Sequence, residues 1–374
     1  MIYLDNAATT MPIQRAVLAA EKYTKDYFYN PSALYRGGIA VKKDLEDARN
    51  VILKSFSPSG YDLIFTSCGS ESDTTAIFAF AKKGNIITTE GEHSAVYKCY
   101  EELKKRGYDV RYAKLNQDGS VNVNSLLSLV DDKTSLVSVV HVNNETGAIN
   151  DINAISTAVK AKNKYTVFHS DGVQAYMKIP FKPCSNIDLY SVSAHKIGAL
   201  KGIGALFKKK TLVLNPLIYG GGQENGLRSG TENVFGIMVF KEAVQERANN
   251  VLKYYQNAEE CKKAFKQNLD LDYIKVISGE NSSPFILSLS AKGLKGEVIQ
   301  HMLEDEGIVI GTGSACSSRN PYSRIISACG FDSDVLSGVI RISFGYDTTV
   351  EECEIASKKL TDCVKKLYKV MYNK

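Results

Sequence analysis

The sequence predicts an α/β fold, a large and mostly parallel sheet covered by helices, with a smaller α+β unit. Three observations lead there. From about residue 60 to 210 short β-rich runs alternate with helical segments, the pattern of strands joined by crossover helices. Polar clusters come directly after those runs, where sheets of this kind collect ligands. After Lys241 the pattern changes to a polar helical stretch and a second group of strands. At 374 residues, two structural units are the natural expectation.

The runs Leu63 to Thr66, Asn85 to Thr88, Leu136 to Val140, Tyr165 to Phe168 and Leu189 to Val192 read as buried strands. The polar clusters after strands are Ser67 to Glu71, Asn143 to Glu145, His169 to Gln174 and Ser193 to Lys196. A helix is expected over Thr74 to Lys82, with Ser70 as its cap and Asp73 completing a capping box. Lys208 to Lys210 reads as a turn after a strand. Further on come a helical stretch through Lys266, a strand at Phe285 to Leu289 and a helix from Gly296 to Glu306. Strands follow at Ile308 to Ile310 and Val339 to Ser343. The last helix starts near Thr349 and keeps apolar residues at Cys353, Ala356, Leu360, Cys363, Leu367 and Val370, the spacing of a buried face. The expected division is one domain over 13–245 and a second formed by 1–12 with 246–374.

Hydrophobic residues at 44% and charged residues at 23% describe an ordinary globular chain, not a disordered one. The N-terminus shows no basic region followed by an apolar stretch, and runs such as Ala76 to Ala81 are too short to span a bilayer. A soluble, cytoplasmic protein without membrane contact is expected. The net charge of +5 fits a solvated lysine-rich surface better than a DNA-binding patch. The eight cysteines include no Cys-x-x-Cys pair and none has zinc-ligand spacing to histidine. No metal is expected, nor a disulfide framework. Most of the thiols read as small buried hydrophobes, and Cys316 alone lies in surroundings that suggest chemistry.

Three segments carry the chemical signal. Lys196 ends Ser193-Ala-His-Lys196 and is followed by Gly198, Gly202 and Gly204. A lysine there suits a Schiff base beside a phosphate-binding turn, though on this segment alone a surface lysine in a glycine-rich loop fits equally. Asp171, in His169-Ser-Asp-Gly-Val-Gln174, could pair with a protonated pyridine nitrogen, and Gln174 could reach a ring hydroxyl. Capping a helix is the other use of such an Asp. Gly69 and Ser70 would offer backbone N–H groups and a hydroxyl to a phosphate at a helix N-terminus. Taken together, the three favour pyridoxal phosphate.

The chain resembles the NifS-type cysteine desulfurases, within the class-V aminotransferase-like enzymes of pyridoxal phosphate. The resemblance runs nearly end to end through Tyr3 to Thr10, Glu92-His93, His141 to Glu145, Ser193 to Lys196, Gly220 to Glu224, Arg228 to Thr231, Gly313 to Cys316 and Arg341 to Ser343. It implies a transferase fold of the aspartate aminotransferase type (fold type I) and a homodimer. It implies Lys196 as the Schiff-base lysine, Asp171 on the pyridine nitrogen, Gln174 on the ring hydroxyl and His93 stacked on the ring and moving protons. Asn144 would orient the ring hydroxyl or the substrate. Gly69, Ser70, Ser193 and His195 would hold the phosphate, with Thr231 reaching it from the second subunit. Arg341 would clamp the substrate carboxylate, a task suited to its planar fork.

Cys316 would attack the sulfur of L-cysteine, release alanine and keep the sulfur as a persulfide for an acceptor protein. That acceptor would be an iron–sulfur scaffold or an enzyme of tRNA or cofactor thiolation. The Cys316 loop is of the longer kind, resembling the group that hands sulfur directly to partners, and the tail after the last helix is short. Against the usual pattern Tyr35 replaces a His, Cys68 a Gly, Thr74 an Asn and Asn225 an Arg. His141, His169 and His301 read as structural. The competing readings are a transaminase or selenocysteine lyase on the same scaffold, and a non-catalytic member that has lost the cofactor.

Overall fold

The computed structural model describes residues 1–56, 59–313 and 322–372. Strands in chain order are β1 (Ile2–Leu4), β2 (Tyr61–Thr66), β3 (Asn85–Thr89), β4 (Asp109–Ala113), β5 (Thr134–Ser138) and β6 (Val167–Asp171). They continue with β7 (Leu189–Ser193), β8 (Gly204–Lys209), β9 (Ile274–Val276), β10 (Ile286–Ala291), β11 (Ile308–Thr312) and β12 (Val339–Ser343). Seven form one sheet in the order β2-β8-β7-β6-β5-β3-β4, and five form another in the order β1-β11-β12-β10-β9.

In the large sheet β4, β3, β5, β6 and β7 pair parallel, while β8 lies antiparallel between β7 and β2. Two antiparallel steps bring β2 back to the direction of β7. The carboxyl ends of β2, β3, β5, β6 and β7 therefore share one edge, and the segments leaving them carry Gly69, His93, Asn144, Asp171 and Lys196. Helices cover both faces, so β7 is buried at every position and its sequence is Leu-Tyr-Ser-Val-Ser rather than alternating.

The small sheet takes its edge strand from the N-terminus, with Ile2 opposite Ile308 in parallel register. A single helix, Val234–Gln267, serves both cores. Its first part, with Ile237, Phe240 and Val244, packs under the large sheet, and Cys261, Ala264 and Phe265 pack under the small one.

Several boundaries differ from the sequence reading. The helix after β2 runs Gly69–Phe80, starting five residues earlier than expected, with extended Cys68 at its cap. Asp73 is thus a buried residue of the helix interior and forms no capping box with Ser70. Lys208 and Lys209 belong to β8, and buried Lys208 donates to the carbonyls of Lys209 and Leu212. Strands β1, β4 and β9 were not expected; two of them have three residues, too few for a visible pattern. In the last helix, Val350–Tyr372, the buried face includes Cys353, Ala356, Leu360 and Cys363, but Val370 is 70% exposed. Among the described residues no helix is long and apolar enough to cross a membrane.

Candidate active site

Lys196 closes the short 3-10 turn Ala194–Lys196 at the end of β7. Its Nζ donates to the carbonyls of Ala7 and Ala8, both at 2.7 Å. The Gln174 Nε2 donates to the same Ala7 oxygen at 2.8 Å, and its Oε1 accepts from the buried amine of Lys178 at 2.9 Å. The turn beyond Lys196 needs a glycine: Gly198 has φ +87°, and a Cβ there would meet Ile13 at 2.7 Å. Burial first, and then the charge of Arg341, pull the Lys196 amine down to about 8. A useful fraction is therefore unprotonated near neutral pH.

Asp171 ends β6, buried, with one carboxylate oxygen accepting the Val173 N–H at 2.9 Å. Beneath it lies His169, held between the hydroxyls of Ser138 and Ser191 at 3.0 Å each, with Asp73 Oδ1 at 3.5 Å. Burial pushes the Asp171 carboxyl up to about 7, Asp73 to about 7 and Glu92 to about 8. Three carboxyls thus share a dry region with little compensating charge.

The sign of the pH effect follows. A carboxyl raised from 3.8 to about 7 favours the fold below its unfolded value and loses that contribution as pH rises through 7. In cofactor-stripped protein, Asp73→Asn should therefore gain melting temperature relative to the parent as pH goes from about 4.5 to 7.5. Parallel melting curves for the two proteins would contradict this account of Asp73.

His93 caps the helix Ser94–Lys105, its Nδ1 accepting the Ala95 N–H at 3.2 Å. In the neutral ring the proton then sits on Nε2. Burial holds the ring pKa below its usual value, opposed by Asp171 and reinforced by Lys196, Arg324 and Arg341.

At the other end of the pocket, helix Gly69–Phe80 has no side-chain cap on its first N–H groups. A Cβ on Gly69 would lie 2.9 Å from Val173 and 3.3 Å from Ser193, so the helix start, β7 and the segment after Asp171 meet closely. Ser70 is exposed in the first turn, and His195 shares a hydrogen bond with the Thr9 hydroxyl at 3.1 Å. Thr231 is exposed, just ahead of helix Val234–Gln267.

Arg341 on β12 pairs its Nη2 with Asp5 at 2.9 Å and donates Nη1 to the Asn144 carbonyl at 2.9 Å. Its Nε and the Asn144 Oδ1 are buried without a hydrogen-bond partner among the described residues. A cavity of about 360 Å³ opens beside them, lined by Asp5, Ala8, Gly311, Thr312 and Gln300 among others. Cys316 lies outside the described residues. Asp5, Asp73 and Lys178 were missed as site residues. Lys178 stands four residues after Gln174, one helical turn, the only signal it gave.

The unusual positions have local accounts. Asn225 sits at φ 56°, ψ 34°, a left-handed conformation that Asn adopts more readily than most residues. Thr74 donates to the Ser70 carbonyl at 2.7 Å, and Tyr35 stands edge-on to Tyr29.

A lysine amine, a buried carboxyl, a capping histidine and an open helix N-terminus thus gather at the carboxyl edge of the large sheet. The model of the family described as Aminotransferase class-V matches residues 2–355. The chain belongs to that family. As a class-V aminotransferase it uses pyridoxal phosphate, in the fold type I architecture. The residues fit that group: the Gly69 cradle for phosphate, Asp171 for a cationic ring nitrogen, and Lys196 for the aldehyde carbon.

Among relatives within the class-V aminotransferases, the "Putative cysteine desulfurase IscS 1" of Bacillus subtilis (strain 168) is 36% identical over 377 residues, covering 98% of this chain and 99% of that protein. A solved "NIFS-like protein" superposes with a TM-score of 0.91 at 33% identity, covering 97% of this chain and 99% of that one. A structure described as "SspA in complex with cysteine" gives a TM-score of 0.80 at 27% identity, covering 92% of this chain and 99% of its own.

Proposed function

We infer that this chain is a pyridoxal-phosphate-dependent cysteine desulfurase that converts L-cysteine to L-alanine and keeps the sulfur as a persulfide on Cys316. The observation that carries the reading is the buried Arg341 Nε, without a hydrogen-bond partner among the described residues, on a guanidinium close enough to act electrostatically on both Lys196 and His93. An amino-acid carboxylate has a place there, and desulfurase relatives along nearly the whole chain supply the reaction class.

Lys196 would hold pyridoxal phosphate, with Asp171 for its ring nitrogen and Gln174, Asn144 and His93 for the ring, and the bound group would supply an electron sink for the substrate's Cα. Gly69, Ser70, Ser193 and His195 hold the phosphate, joined by Thr231 from the second copy of a homodimer. Arg341 binds the carboxylate through Nε, which has no hydrogen-bond partner among the described residues. Lys196 Nζ, its pKa drawn down to about 8 by burial, takes the Cα proton, and His93 in its neutral form keeps a proton on Nε2. The Cys316 thiolate then attacks the substrate Sγ. An S–S bond forms as Cβ–Sγ breaks, the electron pair and a proton end on Cβ, Lys196 returns a proton to Cα, and alanine leaves. The persulfide passes to an acceptor protein of iron–sulfur assembly or of tRNA or cofactor thiolation. The two-unit division, 13–245 against 1–12 with 246–374, belongs to the same proposal; its boundary would fall inside helix Val234–Gln267.

The test is incubation of the purified holoenzyme with L-cysteine. Alanine should accumulate, and peptide mapping by mass spectrometry should place one added sulfur on Cys316. Yellow protein that makes no alanine, or that makes it only with a keto acid present, would overturn the reading in favour of another reaction on this scaffold.

A further inference from the structure

The turn that delivers His93 is gripped from two sides. From within, the buried Glu92 carboxylate accepts the Thr89 hydroxyl at 2.7 Å and the Val140 N–H at 2.9 Å. From without comes Arg324, the first residue of helix Arg324–Ala328. Its Nη1 donates to the Glu90 carbonyl and its Nη2 to the Glu92 carbonyl, the oxygen of the peptide leading into His93. The guanidinium also lies over the Tyr97 ring, 3.7 Å from its centroid. Tyr97 follows His93 by one helical turn, so both share a face of helix Ser94–Lys105.

The neighbouring Ser323 adds a second hold. It caps its own helix through the Ile326 N–H and donates to the Glu145 carboxylate, next in sequence to Asn144. Two adjacent residues therefore fasten onto both loops that flank the reacting centre. None of these contacts is used by the chemistry described above. A planar fork that spans two carbonyls and stacks on a ring is a task for which lysine is a poor substitute.

We propose that Arg324 is a positioning residue for His93, clamping the peptide ahead of it and setting the electrostatic surroundings of its ring. This rests on His93 acting at the cofactor face. The charged groups facing His93 are Asp171 from β6, Lys196 after β7, Arg341 from β12 and Arg324 itself. Loss of Arg324 removes one of three cations and frees the turn. A merely structural role would lower activity without changing how His93 titrates.

The experiment uses the holoenzyme and three variants, Arg324→Ala, Arg324→Gln and Arg324→Lys. The readouts are the His93 ring titration by NMR and the pH profile of kcat/KM for L-cysteine. With five histidines in the chain, His93→Asn assigns the signal. In Arg324→Ala and Arg324→Gln the His93 midpoint should rise by on the order of one pH unit, the acid limb of the profile should move with it, and kcat should fall at least about tenfold. Arg324→Lys should keep the midpoint near that of the parent yet fail to restore kcat, because one ammonium cannot bridge both carbonyls. If Arg324→Ala does not fold, Arg324→Gln decides, since it keeps a stem and a donor without the charge. A midpoint and an acid limb unchanged from the parent would overturn the proposal. Full turnover in His93→Asn would instead remove the role given to His93, while the NMR midpoint would still report on Arg324.

Discussion

Lys196→Ala protein should come off the column colourless, and it should turn over L-cysteine about 10⁴-fold or more below the parent. The argument is geometric before it is chemical. The amine of Lys196 stands at the carboxyl edge of the large sheet and is tied there by two carbonyls of the N-terminal segment. Lys178, the other amine nearby, is buried and occupied by Gln174. It cannot stand in. The substitution leaves Asp171, His93 and Arg341 in place, so the fold should persist with an unchanged circular dichroism spectrum. Methylamine, a free primary amine small enough for the vacated space, should recover part of the activity. A variant that keeps the yellow band through gel filtration, or turns over at the parental rate, would move the covalent role to another residue.

Cys316→Ala should divide the reaction in two. Alanine formation should drop by about 10³-fold or more and no sulfur adduct should be found, since the attacking thiolate is gone. Exchange of the substrate Cα proton with deuterated solvent should continue at near the parental rate. That half of the chemistry needs only Lys196, Arg341 and the cofactor pocket, all of which lie outside the substituted segment. Loss of exchange together with alanine would mean that Cys316 supports the pocket itself. Undiminished alanine would mean that sulfur leaves without it, as a lyase would allow.

The site was legible where chemistry is written in local strings. Lys196, Asp171 and Gly69 each follow a strand whose apolar run is plain, and the parallel topology carries all three to one edge. What stayed hidden depends on contacts across long stretches of chain. Asp5 gains its meaning from Arg341, and Lys178 from an amide that itself leans on Ala7. The end of β8 was placed early because lysines close it, a composition that imitates a turn. The helix after β2 was placed late because Gly69, Ser70 and Ser72 are weak helix formers; the packing of Asp73 toward His169 overrides that preference.

The N-terminal segment also sets an order of events during synthesis. The Ala7 N–H is held by the Ser343 hydroxyl, 336 residues away along the chain, and β1 pairs with β11. Residues 2–4 are made long before β11, the strand they pair with, and β12 beside it. The large sheet can form well before that, since its strands all lie within residues 61–209. Until then the Lys196 amine lacks Ala7 and Ala8, and Arg341 does not yet exist. A nascent chain thus carries a folded scaffold and an incompetent centre, so sulfur chemistry waits until β11 and β12 have been made and docked.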